Sequence, residues 1–131
     1  MILVDSNYII SLFIDSEKNH KRAKKLFERL SDNKLVITNT ILIETMNLVI
    51  DRLNHNIKAL TEIYNIIKRD FKIIYEDKNL IEKSMKTVIK YNGTIGLADA
   101  ISIEVMKELN IYEIFSFDKH FDNKEKIVRI H

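Results

Sequence analysis

The sequence contains no cysteine, no proline and no tryptophan, and only two glycines among its 131 residues. Without cysteine, neither a disulfide framework nor a thiolate-bound metal can form. Histidine is also scarce, and none of the four histidines (His20, His55, His120 and His131) has a partner at metal-ligand spacing on one helix, which argues against a zinc site. Any metal ion is therefore expected to have oxygen ligands.

The chain also lacks a strong charge of either sign and any long apolar run. Its formal net charge is +2, which is compatible with a nucleic-acid partner without requiring one. No apolar stretch approaches the ~20 residues of a membrane span. The N-terminal stretch has no basic region, and Asp5 and Asn7 interrupt it, unlike a signal peptide. We expect one soluble, cytoplasmic domain spanning residues 1–131, with no membrane partner.

Short apolar segments alternate with segments of helical period, and Asn, Asp and Ser mark the turns between them. Five segments predict strands, at 2–5, 35–37, 71–75, 114–115 and 127–130. Six segments predict helices: five at 7–14, 19–31, 56–69, 78–91 and 95–109, and one that Thr38 or Thr40 can cap and that carries Leu42, Met46, Val49 and Leu53 on one side. Strands that are separated by helices pair in parallel and are covered on both faces, so the sequence predicts a three-layer α/β/α sandwich with a mostly parallel central sheet.

Four acidic residues, Asp5, Glu44, Asp99 and Asp118, lie within or directly after apolar segments that are expected to be buried. Each has an ordinary structural explanation. Asp5 could cap the helix after the first strand, and Glu44 could lie on a solvent-facing stripe of its helix. Asp99 would be favourable in a first helical turn, and Asp118 would suit an Asx turn.

Taken together, the four acids are all compatible with one edge of the predicted sheet. Parallel α/β proteins bind ligands there, beyond the carboxyl ends of the strands. Carboxylates that converge need protonation or a divalent cation to offset their repulsion, and oxygen ligands suit Mg²⁺, with Mn²⁺ as a substitute. Because such an ion activates water and neutralises phosphate charge, phosphodiester hydrolysis is the chemistry expected at this edge.

Four segments, ILVDSNYII, TNTILIETMN, GLADAISIEVMKE and FSFDKHFD, resemble in order and spacing the four motifs of PIN-domain nucleases. The chain is similar above all to the small VapC-type toxins of toxin–antitoxin pairs, and the resemblance covers nearly its whole length. It implies a PIN-like fold and a Mg²⁺-dependent ribonuclease. The catalytic and metal-binding acids that it implies are Asp5, Glu44, Asp99 and Asp118.

The resemblance also implies roles for three neighbouring polar residues. Ser116 stands where the family usually has threonine, and either hydroxyl can hydrogen-bond a metal-bound water or a carboxylate. Asn7 matches a frequent polar neighbour of the first acid. Asp122 is a further candidate member of the pocket, with a loop or capping role as its favoured alternative.

RNA is the substrate that the resemblance implies, with products carrying 5′-phosphate and 3′-hydroxyl ends. Lys119 and Lys124 flank the fourth motif and are predicted to contact RNA phosphates. A second basic cluster, in the segment HKRAKKLFERL, is better explained as a solvated helix face. The family also implies a homodimer and a cognate antitoxin whose C-terminal segment lies near the active site.

Three other functions compete with the toxin ribonuclease. A housekeeping PIN nuclease of RNA processing would share the site without an antitoxin. A phosphoacceptor domain of receiver or haloacid-dehalogenase type is disfavoured, because the first motif reads DSN rather than DxD and leaves Glu44 and Asp99 without a role. A pure binding module would keep the acids only as helix caps.

Overall fold

A central sheet of five parallel strands organises the chain in a computed structural model that describes all residues, 1–131. The strands are β1 (Ile2–Val4), β2 (Leu35–Thr38), β3 (Phe71–Ile74), β4 (Glu113–Phe115) and β5 (Val128–Ile130). They lie in the order β3-β2-β1-β4-β5, and Leu3 of central β1 is in register with Val36 on one side and Ile114 on the other. Every neighbouring pair is parallel, so the predicted fold class is confirmed.

Six helices connect the strands. They are α1 (Ser6–Phe13), α2 (His20–Leu30), α3 (Asn39–Arg52), α4 (Ile57–Asp70), α5 (Lys78–Lys90) and α6 (Leu97–Glu108). The right-handed rule for parallel crossovers puts α1 to α4 on one face and α5 with α6 on the other. The packing agrees, since α1 contacts α2 and α3, whereas α5 packs along α6. No helix is both long and apolar enough to span a membrane.

The strands are buried because they carry uninterrupted apolar residues, as expected for a parallel sheet covered on both faces. All three residues of β1 are fully buried, and the core continues into both helical layers. The ring of Tyr8 on α1 stacks on Phe115 at the end of β4, with centroids 4.4 Å apart. This contact fixes the start of α1 against the fourth strand, where the acidic motifs lie.

In a chain without proline, asparagine makes many of the turns. Asn54, Asn92, Asn110 and Asn123 adopt positive φ angles between 49° and 61°, a left-handed conformation that asparagine tolerates better than most residues. Side chains cap the starts of α1, α3, α4 and α5, and the Thr38 hydroxyl accepts a 3.0 Å hydrogen bond from the backbone N–H of Ile41. The cap of α3 is therefore Thr38 rather than Thr40, the other candidate.

The strand order places a topological switch point beside β1. The chain moves from β1 to β2 and β3 on one side, then crosses to β4 on the other side. In open parallel sheets, a crevice lies beyond the carboxyl ends of the strands at such a point. Asp5 follows β1 directly, and Ser116 follows β4 directly.

Candidate active site

Asp5 lies at the bottom of this crevice, as the N-cap of α1. One carboxylate oxygen accepts a 2.8 Å hydrogen bond from the backbone N–H of Ser6, and the other accepts a 2.7 Å bond from the Ser116 hydroxyl. Burial raises the pKa of Asp5 from 3.8 to about 6, and repulsion from Asp99 and Asp118 adds to this shift against the two hydrogen bonds. Asp5 is both a cap and a member of an acidic cluster.

Glu44 reaches the same crevice from α3. Its carboxylate accepts a 3.2 Å hydrogen bond from the Ser6 hydroxyl, so Ser6 contacts both Asp5 and Glu44. Burial raises the pKa of Glu44, and the charge of Asp5 raises it further. Glu44 also lines an open hollow of about 380 Å³ with Ser6, Asn47 and Leu48. The side chain therefore faces a cavity beside Asp5 rather than a solvent stripe remote from it.

Asp99 enters from the opposite helical layer, in the first turn of α6. Burial raises its pKa, and the repulsion of Asp118 and Glu44 acts in the same direction, against a lowering effect of His120. The acids of α3 and α6 thus influence each other across the carboxyl edge of the sheet. A first-turn position explains why an acid is tolerated at residue 99, but not why it faces other acids.

Asp118 is carried by the loop after β4, which Ser116 and Asn7 fix in place. The Ser116 hydroxyl accepts a 3.0 Å hydrogen bond from the backbone N–H of Asp118 while it donates to Asp5. Asn7 accepts a 3.1 Å bond from the Phe117 backbone N–H and donates to the Ser116 hydroxyl at 3.5 Å. Ser116 is fully buried. Both predicted supporting residues therefore connect the first motif to the fourth.

Asp122 lies apart from this network, paired with Arg129 of β5. The Arg129 guanidinium donates two hydrogen bonds to the Asp122 carboxylate, at 2.7 and 3.0 Å, and a further one to the Ser116 carbonyl at 3.3 Å. The Arg129 hydrogen bonds hold the pKa of Asp122 below its usual range. The role of Asp122 in the structure is a loop ion pair, because its two oxygens are already occupied by a cation.

The two predicted substrate lysines differ in their surroundings. Lys119 is exposed in a short 3₁₀ turn, Lys119–Phe121, that follows Asp118 directly. The ammonium of Lys124 lies 5.5 Å from the centroid of the Tyr91 ring, at the end of α5. Lys119 is therefore the one that borders the acidic crevice along the chain.

The electrostatics of the crevice fit a divalent cation. No lysine or arginine pairs with Asp5, Glu44, Asp99 or Asp118, and their one ion-pair partner is His120. Within the cluster, Asp99, Asp118 and His120 offer ligand atoms that all lie within 4.8 Å of one another. Asp5 and Glu44 lie outside this compact group of three but repel it through space. Carboxylate oxygens at this density are a donor set for a hard metal ion.

Three residues of this region escaped the sequence analysis. Ser6 bridges Asp5 and Glu44, and its position beside the first acid was the only available signal. His120 is one of the four histidines whose spacing argues against a zinc site, and it lies two residues after Asp118. Arg129 lies in the last strand. Nothing in the neighbouring sequence indicates that it binds Asp122 and the Ser116 carbonyl in the loop after β4.

Comparison with known proteins agrees with this architecture. The model of the PIN domain family matches residues 2–127, whereas no curated protein sequence matches significantly. Among solved structures, the chain is similar to VapC20 of Mycobacterium tuberculosis, a sarcin-ricin loop cleaving toxin, with a TM-score of 0.81, 20% identity and coverage of 97% of this chain and 98% of that one.

A second similar structure is a toxin–antitoxin complex from Klebsiella pneumoniae. Its TM-score is 0.72 at 20% identity, and the match covers 98% of this chain and 96% of that one. At such identities, these two structures show a shared fold. Because the family model spans nearly the whole chain, the protein belongs to the PIN domain family.

Proposed function

We propose that this chain is a divalent-metal-dependent endoribonuclease, built as a single nuclease domain of residues 1–131. The observation that carries the proposal is a group of Asp99, Asp118 and His120 that Asp5 and Glu44 border closely enough to repel its acids, in a crevice without lysine or arginine partners. Such repulsion has to be offset by a cation or by protons, and membership of the PIN domain family supports the first alternative.

Asp5, Glu44, Asp99 and Asp118 would hold Mg²⁺, with Mn²⁺ as a substitute. When bound, the ion supplies neutralising charge for the scissile phosphate and a water of lowered pKa. We infer that hydrolysis leaves 5′-phosphate and 3′-hydroxyl ends on the RNA.

The remaining residues of the crevice position this set. Ser116 ties Asp5 to the backbone of Asp118 through one hydroxyl, so that the first and fourth motifs keep a fixed spacing. Ser6 links Asp5 to Glu44 in another way, since its backbone N–H donates to Asp5 and its hydroxyl donates to Glu44. Lys119 is exposed beside Asp118 and would contact an RNA phosphate, whereas Lys124 would contribute charge from further along the loop.

The toxin of a toxin–antitoxin pair is the biological role that we propose. The fold similarity to the VapC20 toxin and to a toxin–antitoxin complex supports this role. A cytoplasmic homodimer, restrained by a cognate antitoxin, is the form that we expect in the cell. Exposed apolar side chains at Ile81, Met85 and Ile89, spaced by one helical turn on α5, are compatible with a protein interface.

An RNA cleavage assay tests the enzymatic proposal. Wild type should cleave RNA with Mg²⁺ or Mn²⁺ and lose all cleavage in EDTA, and Asp5→Asn should be inactive under each condition. Asn caps a helix as well as Asp does, so circular dichroism should find the variant folded. Cleavage that persists in EDTA, or a fully active Asp5→Asn, would contradict the proposal.

The biological role needs a separate test. Expression of wild type should arrest bacterial growth, and co-expression of the neighbouring small gene should restore it, while Asp5→Asn should be harmless. Harmless expression of a protein that is active in the cleavage assay would instead favour the housekeeping RNA-processing function.

A further inference from the structure

His120 is the one nitrogen donor in an otherwise carboxylate crevice. Its Nδ1 atom lies 3.2 Å from an Asp118 oxygen and 3.7 Å from an Asp99 oxygen. Asp99 belongs to α6 and Asp118 to the loop after β4, so the ring bridges the α6 side of the crevice to the fourth motif. The sequence predicts oxygen ligands alone, whereas the structure places the His120 nitrogen in a compact group with Asp99 and Asp118.

The separations around His120 match those of a coordination shell. Ligands in neighbouring positions around an ion with bonds near 2.1 Å lie about 3 Å apart, and more open angles give up to about 4 Å. The distances of 3.2 and 3.7 Å from Nδ1 to the two carboxylates fall in this range. The third separation, between the Asp99 and Asp118 oxygens, is within 4.8 Å, so one ion would contact all three groups after the two carboxylates draw in around it.

The backbone holds the imidazole at this place. The His120 N–H donates a 2.9 Å hydrogen bond to an Asp118 oxygen at the start of the 3₁₀ turn, so the ring is directed back over the carboxylate that precedes it. The His120 side chain is 58% exposed, which leaves it free to settle on an entering ion. The ring contacts acids of two separate motifs, Asp99 and Asp118, and an ion pair with both is the alternative that the experiment below has to exclude.

We propose that His120 Nδ1 is a direct ligand of the metal ion, together with Asp99 and Asp118, and that the centre consequently prefers Mn²⁺ or a similar transition ion to Mg²⁺. The proposal rests on the proposed metal-dependent function. Its chemical basis is that Mg²⁺ is held by oxygen ligands, whereas Mn²⁺, which shares the carboxylate ligands of Mg²⁺, is also the first member of the transition series that binds imidazole nitrogen. Mg²⁺ would still bind through the carboxylates, but with lower affinity.

Pulsed electron paramagnetic resonance of Mn²⁺ bound to the full chain tests this directly. The protein is produced with ¹⁵N in histidine only, so that a ¹⁵N coupling to Mn²⁺ identifies a coordinated imidazole. His120→Asn replaces the nitrogen donor by an amide of similar reach. His55→Asn is the matched control, because His55 is exposed in a left-handed turn, a conformation that asparagine also adopts.

We expect a ¹⁵N coupling in wild type and in His55→Asn, and its loss in His120→Asn. Calorimetric titration should find that the ratio of Mn²⁺ to Mg²⁺ affinity falls about tenfold or more in His120→Asn and stays constant in His55→Asn. A coupling that survives in His120→Asn, or an unchanged affinity ratio, would overturn the assignment.

Asp99→Asn separates this proposal from the proposed function. Mn²⁺ that is bound by wild type, lost in Asp99→Asn and free of any ¹⁵N coupling would overturn the role of His120 while leaving the metal-dependent nuclease intact. If wild type bound no Mn²⁺ that depends on Asp99, both the metal centre and its histidine ligand would be refuted.

Discussion

Two acidic side chains of this protein are buried to a similar extent, but their surroundings differ. Glu104 on α6 is 3% exposed and Asp5 after β1 is 7% exposed. Glu104 accepts a 2.6 Å hydrogen bond from the Thr87 hydroxyl of α5 and a 3.2 Å ionic hydrogen bond from Lys107. Asp5 has only neutral donors and faces further acids.

The difference shows that partners, rather than burial, distinguish a structural acid from a candidate functional one. Glu104 has a cation in the chain itself, as buried charges generally need, and it fastens α5 to α6. The negative charge around Asp5 is left for something outside the chain to neutralise. This contrast is the physical basis of the proposed metal centre.

The largest expected effect is a difference in cleavage rate between two variants of α6. One variant neutralises Asp99, an acid of the crevice, and the other neutralises Glu104, the structural acid. Asp99→Asn should lower Mg²⁺-dependent RNA cleavage by more than about 100-fold, since loss of even an outer partner of a metal ligand costs 10–100-fold. Glu104→Gln should retain cleavage, because Gln can still accept the Thr87 hydrogen bond. Initial rates on one RNA measure both, and equal losses in the two variants would erase the distinction.

Asp5→Asn should change how stability depends on pH. Because the folded pKa of Asp5 is raised from 3.8 to about 6, the folded state binds more protons than the unfolded chain across that interval, and wild type loses stability as pH rises through it. From about pH 4 to pH 7.5 in EDTA, the free energy of unfolding should shift by about 2 kcal/mol in favour of the variant.

Chemical denaturation of both proteins at several pH values measures this shift. The other acids titrate in both chains, and loss of the Asp5 charge relieves its upward effect on the pKa of Glu44, which shifts the comparison in the same direction. A wild type that becomes more stable relative to Asp5→Asn as pH rises would mean that Asp5 is not held in a repulsive environment.

Glu104→Ala should affect stability and leave chemistry alone. The substitution leaves the buried Thr87 hydroxyl without its acceptor on α6, which should lower the free energy of unfolding by about 2 kcal/mol. Below its melting transition, the variant should cleave RNA at the wild-type rate. Activity lost while the variant is still folded would place Glu104 in the active site after all.

Ser116 offers a smaller test of how the first and fourth motifs are joined. Ser116→Ala removes the hydroxyl that connects Asp5 to Asp118 and should slow cleavage by about tenfold. Ser116→Thr keeps the hydroxyl and should restore most of the rate. If both variants behaved alike, the hydroxyl would not be what positions the acids.

The sequence permitted prediction of the sheet and of the acids at its edge, because these features are local. Continuous apolar runs predict buried strands, and an acid directly after such a run, as at Asp5, lies at the carboxyl end of a strand. Glu44 and Glu104 reveal where local reasoning stops. Both are acids within apolar helices, and only tertiary partners such as Thr87, on another helix, tell them apart.

Neither the position of His120 among the acids nor the ion pair of Asp122 could be predicted from the sequence. His120 is a candidate ligand only because it lies close to Asp99, which belongs to α6. The Asp122 carboxylate, considered for the pocket, is bound by Arg129, which comes from an edge strand of the sheet. Such contacts join residues of different elements, so they depend on the tertiary packing at this edge of the sheet. The spacing of the motifs along the sequence does not predict them.

Thermal unfolding at pH 7.5 with increasing Mg²⁺ shows whether a divalent cation completes the acidic crevice. We expect a saturable stabilisation of wild type, of about 3 kcal/mol at a hundredfold excess over the dissociation constant. Asp5→Asn should gain far less from the ion. Equal stabilisation of the two proteins, or none of wild type, would refute a metal centre at these acids.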